Sequence, residues 1–180
     1  MSLAQHQMGH VAVGGIDQEL VYLADTPVGP LVTAHLLPGE EASGKLVSYV
    51  KRRAVELAEQ LRIERILVDG SPGIGCPVIA SLTGASLVLI VTEPTLSGEH
   101  DLQRVLELTR HFGIPAAVCV NKWDLNPLMA EQIERKAESG GAIVAGIILG
   151  NSHFMVGSVI IGADAAKGLA AIAAIAGHIW

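Results

Sequence analysis

The stretch that decides the fold is Ala116-Ala-Val-Cys-Val-Asn-Lys-Trp-Asp124. An unbroken apolar run, with no polar residue alternating into it, describes a strand covered on both faces. The run stops at Asn121, and the exit has the spacing N-K-x-D. Asn121 offers a planar donor–acceptor edge and Asp124 a bidentate acceptor, groups that suit a purine base. Taken alone, the same four residues also describe an ordinary strand exit.

Working outward, Ser86–Thr92 and Arg65–Asp69 are further apolar strands, each ending in a polar residue. Between Thr92 and Ala116 the period changes to that of a helix, roughly Glu99 to Phe112, with Leu102, Val105, Leu106 and Thr109 on one side. Glu99 and Asp101 lie in its first turn, where the helix dipole favours acids. Pro127 to Ser139 reads as another helix and Ala142 to Leu149 as a fourth strand. Apolar strands alternating with helices predict a doubly wound α/β domain on a mostly parallel sheet. Ligands of such sheets bind outside the carboxyl ends of the strands, which is where Asp69, Thr92 and Asn121 fall. Asp69 precedes the turn-rich Gly70-Ser-Pro-Gly-Ile-Gly75. A carboxylate so placed is the usual holder of a Mg²⁺-bound water in phosphate-transferring folds, though Asx-turn chemistry gives the same residues.

Upstream, Val11–Val13, Leu20–Leu23 and Leu31–Leu36 are short strands separated by turns, the first two a candidate N-terminal hairpin. A helix follows, with Leu46, Val50, Ala54, Leu57 and Leu61 on one face and Ser43 or Gly44 at its start. Downstream, 151–162 reads as extended and 163–179 as an Ala-rich helix whose polar face lacks the cations that favour anionic lipid. Residues 1–10 read as a disordered leader, and the whole of 1–180 as a single domain.

Half of the 180 residues are apolar and 17% are charged, enough to bury one sizeable core. The net charge of −6 opposes a nucleic-acid-binding face, since phosphate neutralisation needs clustered Lys and Arg. No apolar run approaches the roughly 18 residues of a membrane span. Cys76 and Cys119 suit a reducing, cytoplasmic setting and set up no disulfide framework.

Residues 31 to 127 resemble the MinD/ParA class of nucleotide-binding proteins (also filed as CobQ/CobB/MinD/ParA, or cobyrinic acid a,c-diamide synthase-like), and most of all its branch with an inserted ferredoxin domain. The resemblance is carried by "LLPGEEASGKLV", by "ILVDGSPGIGCPVIASLTGASLVLIVTEPTLSGEHDL" and by "HFGIPAAVCVNKWDLNP". It implies a P-loop NTPase-like ATPase that works as a homodimer with ATP and Mg²⁺. By the same resemblance Asp69 is the acidic residue at the metal, Gly73 lies in the loop that senses the γ-phosphate, and Asn121 contacts the base. N-K-x-D is the guanine-reading pattern of GTPases, so Asp124 leaves the base open although the family points to adenine. Electron-transfer or metal-cluster proteins are the implied partners; neither nucleic acid nor membrane is expected.

The departures are as informative. Family members begin with a strand and a phosphate loop, followed by the iron–sulfur insert, and G-K-[ST] occurs nowhere in this chain. Gly39, Gly44 and Lys45 reproduce the loop's spacing, but Leu46 stands in place of the hydroxyl residue and Glu40 and Glu41 would sit beside the phosphates. The stretch therefore reads as a look-alike and a helix start. Two cysteines cannot supply the four thiolates of a cluster, so an iron–sulfur centre belongs to a missing insert. The chain is expected to be a fragment of the nucleotide fold, with no catalytic residue and no ATP hydrolysis of its own. The alternative is a non-enzymatic scaffold for protein association.

Overall fold

Strand and helix periods alternate along the chain as the sequence predicts, and the result is a mixed α/β protein. The computed structural model describes residues 11–16, 19–27, 29–36, 43–71, 73–147 and 157–161. The leader at 1–10 and the helix at 163–179 lie outside the described residues. The chain divides into two compact units, Met1–Ile63 and Glu64–Trp180.

In the first unit β1 (Val11–Ile16), β2 (Glu19–Thr26) and β3 (Gly29–His35) form an antiparallel sheet in chain order. The candidate hairpin is present as the β1–β2 pair, irregular between Ala12 and Gly14. Helix α1 (Gly44–Leu61) packs against β3 and buries Leu46 and Ala58. Its N-cap is Ser43, whose Oγ accepts the Leu46 N–H at 3.1 Å while its carbonyl accepts that of Val47. The position where a phosphate loop needs a hydroxyl is thus an apolar side chain inside the core, and the leading amide is taken by the helix's own cap. Residues 39–42 lie outside the described residues.

The second unit holds β4 (Leu67–Gly70), α2 (Cys76–Leu82), β5 (Leu87–Thr92), α3 (Leu96–His111), β6 (Ala116–Val120), α4 (Pro127–Ser139), β7 (Ile143–Ile147) and β8 (Gly157–Ile161). The strand order is β4-β8-β5-β6-β7. β5, β6 and β7 are parallel neighbours, and β8 runs antiparallel between β4 and β5. Val88, Ile90, Val118 and Val120 form one core cluster with Val78 and Leu82 of α2, Leu102 and Leu106 of α3, and Ala130, Ile133 and Ala137 of α4. Within this unit α2, α3 and α4 therefore pack on one core cluster of the sheet, while Leu87 and Ala117 form a separate buried cluster.

One expectation is corrected here. β4 is not a buried strand: it is a sheet edge, with Leu67 59% exposed and Asp69 exposed. The sheet is parallel over β5, β6 and β7, and β8, inside the stretch that reads as extended, enters it antiparallel. These pairings are long-range, and an apolar run does not encode them. No helix among the described residues is long and apolar enough to cross a membrane.

Candidate functional site at the carboxyl ends of the strands

The ends of β5 and β6 are built into the core. Thr92 is buried, and its Oγ1 donates to the Gly98 carbonyl at 3.0 Å, tying the strand end to the first turn of α3. Thr95 caps that turn by accepting the Gly98 N–H at 3.0 Å. A Cβ on Gly98 would stand 2.3 Å from the Glu93 carbonyl oxygen, so only glycine lets the helix approach this closely. Asn121 is fully buried, and its N–H donates to the Thr92 carbonyl at 2.7 Å, extending the β5–β6 ladder by one rung.

The next residue, Lys122, has a left-handed backbone, φ +53 and ψ +41. Its Nζ lies 2.6 Å from Glu93 Oε1, so the first residues beyond β5 and beyond the extended β6 ladder are joined by charge. A single 3-10 turn, Trp123–Leu125, follows and carries the exposed Asp124. Trp123 Nε1 donates to Glu134 Oε1 at 3.1 Å, and Asn126 caps α4 by accepting the Met129 N–H at 3.2 Å. The first-turn acid Glu99 does more than face a helix dipole: it is buried, and its Oε1 meets Lys136 Nζ at 2.6 Å and Gln132 Nε2 at 2.9 Å, clamping α3 to α4. A cleft of about 230 Å³ beside that clamp is lined by Leu102, Gln103, Arg110 and Ser139 among others. It is smaller than the roughly 300 Å³ at which ligand cavities begin.

The β4 end is constructed differently. Asp69 is exposed and leads into a loop where Gly73 has φ +87 and open space around it. Gly75 caps the short α2 without a side-chain bond. Asp69 shares a rung with Val159 of β8, which in turn faces Leu89 of β5 and so Ala117 of β6. β4 and β5, both antiparallel to β8, run in the same direction, and Asp69, Thr92 and Asn121 all lie toward carboxyl ends. They are not on adjacent strands, however: β8 and β5 separate β4 from β6. Three strand spacings sideways and four residues along the strand put Asp69 and Asn121 roughly 19 Å apart along the sheet.

Sequence reading missed Glu93–Lys122 and Glu99–Lys136. The first was signalled by opposite charges just past two apolar strands, the second only by an acid on the inward side of a helical period. Burial raises the Cys119 thiol in β6 to about 11, while Cys76 at the start of α2 is exposed.

No described protein family and no solved structure matches the chain. Two proteins of Methanocaldococcus jannaschii are similar to it, both described only as uncharacterized. MJ0578 is 34% identical over 112 residues, covering 62% of this chain and 39% of its own length. MJ0579 is 30% identical over 100 residues, covering 56% of this chain and 36% of its own. The chain therefore spans well under half the length of these relatives.

Proposed function

We propose that the chain supplies the nucleotide-binding fold of a MinD/ParA-type ATPase, a P-loop NTPase-like domain that in the complete cytoplasmic protein binds ATP with Mg²⁺. In that protein it acts as a homodimer coupled to an iron–sulfur or electron-transfer module. The observation that carries this reading is the staggered carboxyl edge of one sheet. Asp69 stands exposed at one end of it, and Asn121 with Asp124 at the other. The strand ends at Asp69 and Asn121, roughly 19 Å apart along the sheet, are spaced far wider than a single small ion. One carboxylate suits Mg²⁺, which keeps several waters and takes phosphate oxygens as further ligands; bound there, the ion would neutralise phosphate charge. Gly73 leaves the intervening loop without a side chain that would keep phosphates away from the backbone.

Hydrolysis is not assigned to these residues alone. α1 starts at a serine cap with Leu46 buried, an arrangement that cannot serve as the phosphate loop. Mg²⁺-dependent phosphate release by the 180-residue chain, lost on Lys45→Ala, would overturn that statement. The function itself is tested by calorimetry on the protein expressed from its whole reading frame. Mg·ATP and Mg·ADP are expected to bind, with Mg²⁺ dependence lost in Asp69→Asn.

A second reading, an association scaffold, is favoured by Leu96, Leu125 and Leu128, which are 74%, 68% and 79% exposed at the start of α3, the end of the 3-10 turn and the start of α4. Absence of heat with ATP, ADP and GTP would leave the scaffold as the standing reading.

A further inference from the structure

We infer that the Glu93–Lys122 ion pair is the positioning element of the base end of this site, with Lys122 serving as a strut and not as a ligand group. The inference rests on the nucleotide reading and specifies how its Asn121–Asp124 segment is held. The backbone of Glu93 is held from behind, because its carbonyl accepts the Thr95 N–H at 2.8 Å and lies close to Gly98, which has no Cβ. Lys122 reaches the Glu93 carboxylate at 2.6 Å, with the Lys122 side chain 37% and the Glu93 side chain 24% exposed, so the pair is only partly open to solvent. The backbone of Lys122 lies in the left-handed region, which a lysine adopts only where its surroundings hold it. That residue sets the direction of the chain leaving β6: before it Asn121 points into the core, and two residues after it Asp124 stands at the surface. Two further anchors of the turn, the Leu125 N–H to the Lys122 carbonyl at 3.0 Å and Trp123 to Glu134, lie beyond that change of direction. With its ammonium engaged by Glu93, Lys122 is drawn toward β5, and Asp124 carries the charge that meets the base.

The pair is broken in two ways and then rebuilt. Glu93→Gln keeps the shape and removes the charge; Lys122→Gly removes the ion pair but suits the left-handed backbone better than lysine. In a Trp180→Phe background Trp123 is the only tryptophan and reports on the turn. Both variants are expected to quicken amide exchange over 121–126 by roughly 1.5- to fivefold, the ratio an interaction of this class produces, and to raise quenching of Trp123 by iodide. The swap Glu93→Lys with Lys122→Glu is expected to restore both. In the whole-reading-frame protein, the same two variants are expected to lower nucleotide affinity and to change the ratio of ATP to GTP affinity while leaving inorganic pyrophosphate affinity unchanged. Exchange that stays at the wild-type rate in Glu93→Gln and Lys122→Gly overturns the inference. So does an unaltered ATP/GTP ratio in a protein that binds both nucleotides. A wild-type protein that binds neither nucleotide overturns the nucleotide reading and this inference with it, an outcome told apart from the others by the wild-type titration alone.

Discussion

The two ends of the candidate site are made of contrasting material. At β6 a strand buried along its whole length, flanked by β5 and β7 and covered by α4, ends in the fully buried Asn121. At β4 an edge strand of four residues, paired on one side only, ends in the exposed Asp69. Both read in sequence as an apolar run closing on a polar residue. The difference lies in what surrounds them: a run in the middle of a sheet is fixed by two ladders and a helix, whereas the same run at an edge is held by one ladder. Functional elements that must move are drawn from such weakly held regions, so the β4 end, where the proposed metal would sit, is the less firmly held and the β6 end the rigid frame.

The contrast is broken most forcefully at the packing beneath each strand. Ile133 of α4 is fully buried against the β6 side of the core. Ile133→Ala is expected to destabilise the protein by about 2–5 kcal/mol in urea unfolding. Leu67→Ala, at the 59% exposed position of β4, is expected to cost less than about 1 kcal/mol. Equal losses would mean that the two ends are equally framed.

The two cysteines sharpen the comparison through pH. Burial holds the Cys119 thiol at about 11, above its ordinary 9.0. The folded state therefore prefers the neutral form: the contribution is complete below pH 9 and is lost as pH rises from there toward 11. Over that window stability is expected to fall by about 2–3 kcal/mol more in the wild type than in Cys119→Ala, since every tenfold change in an ionisation equilibrium is worth about 1.4 kcal/mol. At neutral pH a disulfide reagent is expected to label the exposed Cys76 at once and Cys119 only on unfolding. Fast labelling of both would show the β6 frame to be open.

Legibility in the sequence followed the same division. Helix α4 was readable to the residue, because Asn126 caps it, Pro127 suits its first turn and Ala130, Ile133 and Ala137 keep a helical period. α3 begins three residues before the period suggests, because its true cap is the Thr95 hydroxyl and Gly98 conceals the turn. β5 and β6 were readable as buried strands for the reason that central parallel strands need no alternation. What sequence could not supply was the order of strands: nothing local in residues 66–69 distinguishes an edge from a centre, and nothing in 157–161 announces that β8 enters antiparallel between β4 and β5. Asp69 and Asn121 therefore stand with two strands between them, without any local sign of it. The Glu93–Lys122 and Glu99–Lys136 pairs escaped for the same reason, being contacts between elements.

The glycines give a smaller effect with a sign that is not obvious. Alanine is the better helix former by about 1 kcal/mol, so Gly98→Ala within α3 would be stabilising if space allowed. It does not: the contact of 2.3 Å is with a backbone oxygen, which cannot rotate away. The first turn must move and strain the Thr92 bond to Gly98, and a net loss of roughly 1–3 kcal/mol is expected in thermal unfolding. Gly73→Ala meets no atom, and its loss, about 1–2 kcal/mol, comes from the left-handed backbone alone. A second substitution to Asn at the same site, tolerant of that conformation, is expected to recover most of the Gly73 loss and none of the Gly98 loss.

The smallest change in stability is expected where the functional consequence is greatest. Asp69→Asn alters an exposed side chain at a sheet edge, and unfolding is expected to shift by no more than about 0.5 kcal/mol. Asn121→Ala removes a buried amide next to Thr92, and a loss of about 1–3 kcal/mol is expected from the polar partners it leaves inside. If the metal end is adaptable and the base end structural, Asp69→Asn should remove Mg²⁺-dependent nucleotide binding in the whole protein while its unfolding curve overlays the wild type. Asn121→Ala should weaken both together. An Asp69→Asn protein that unfolds like the wild type and still binds nucleotide with full Mg²⁺ dependence would take the metal away from β4 altogether, leaving the buried end of β6 as a structural frame with no cation to oppose it.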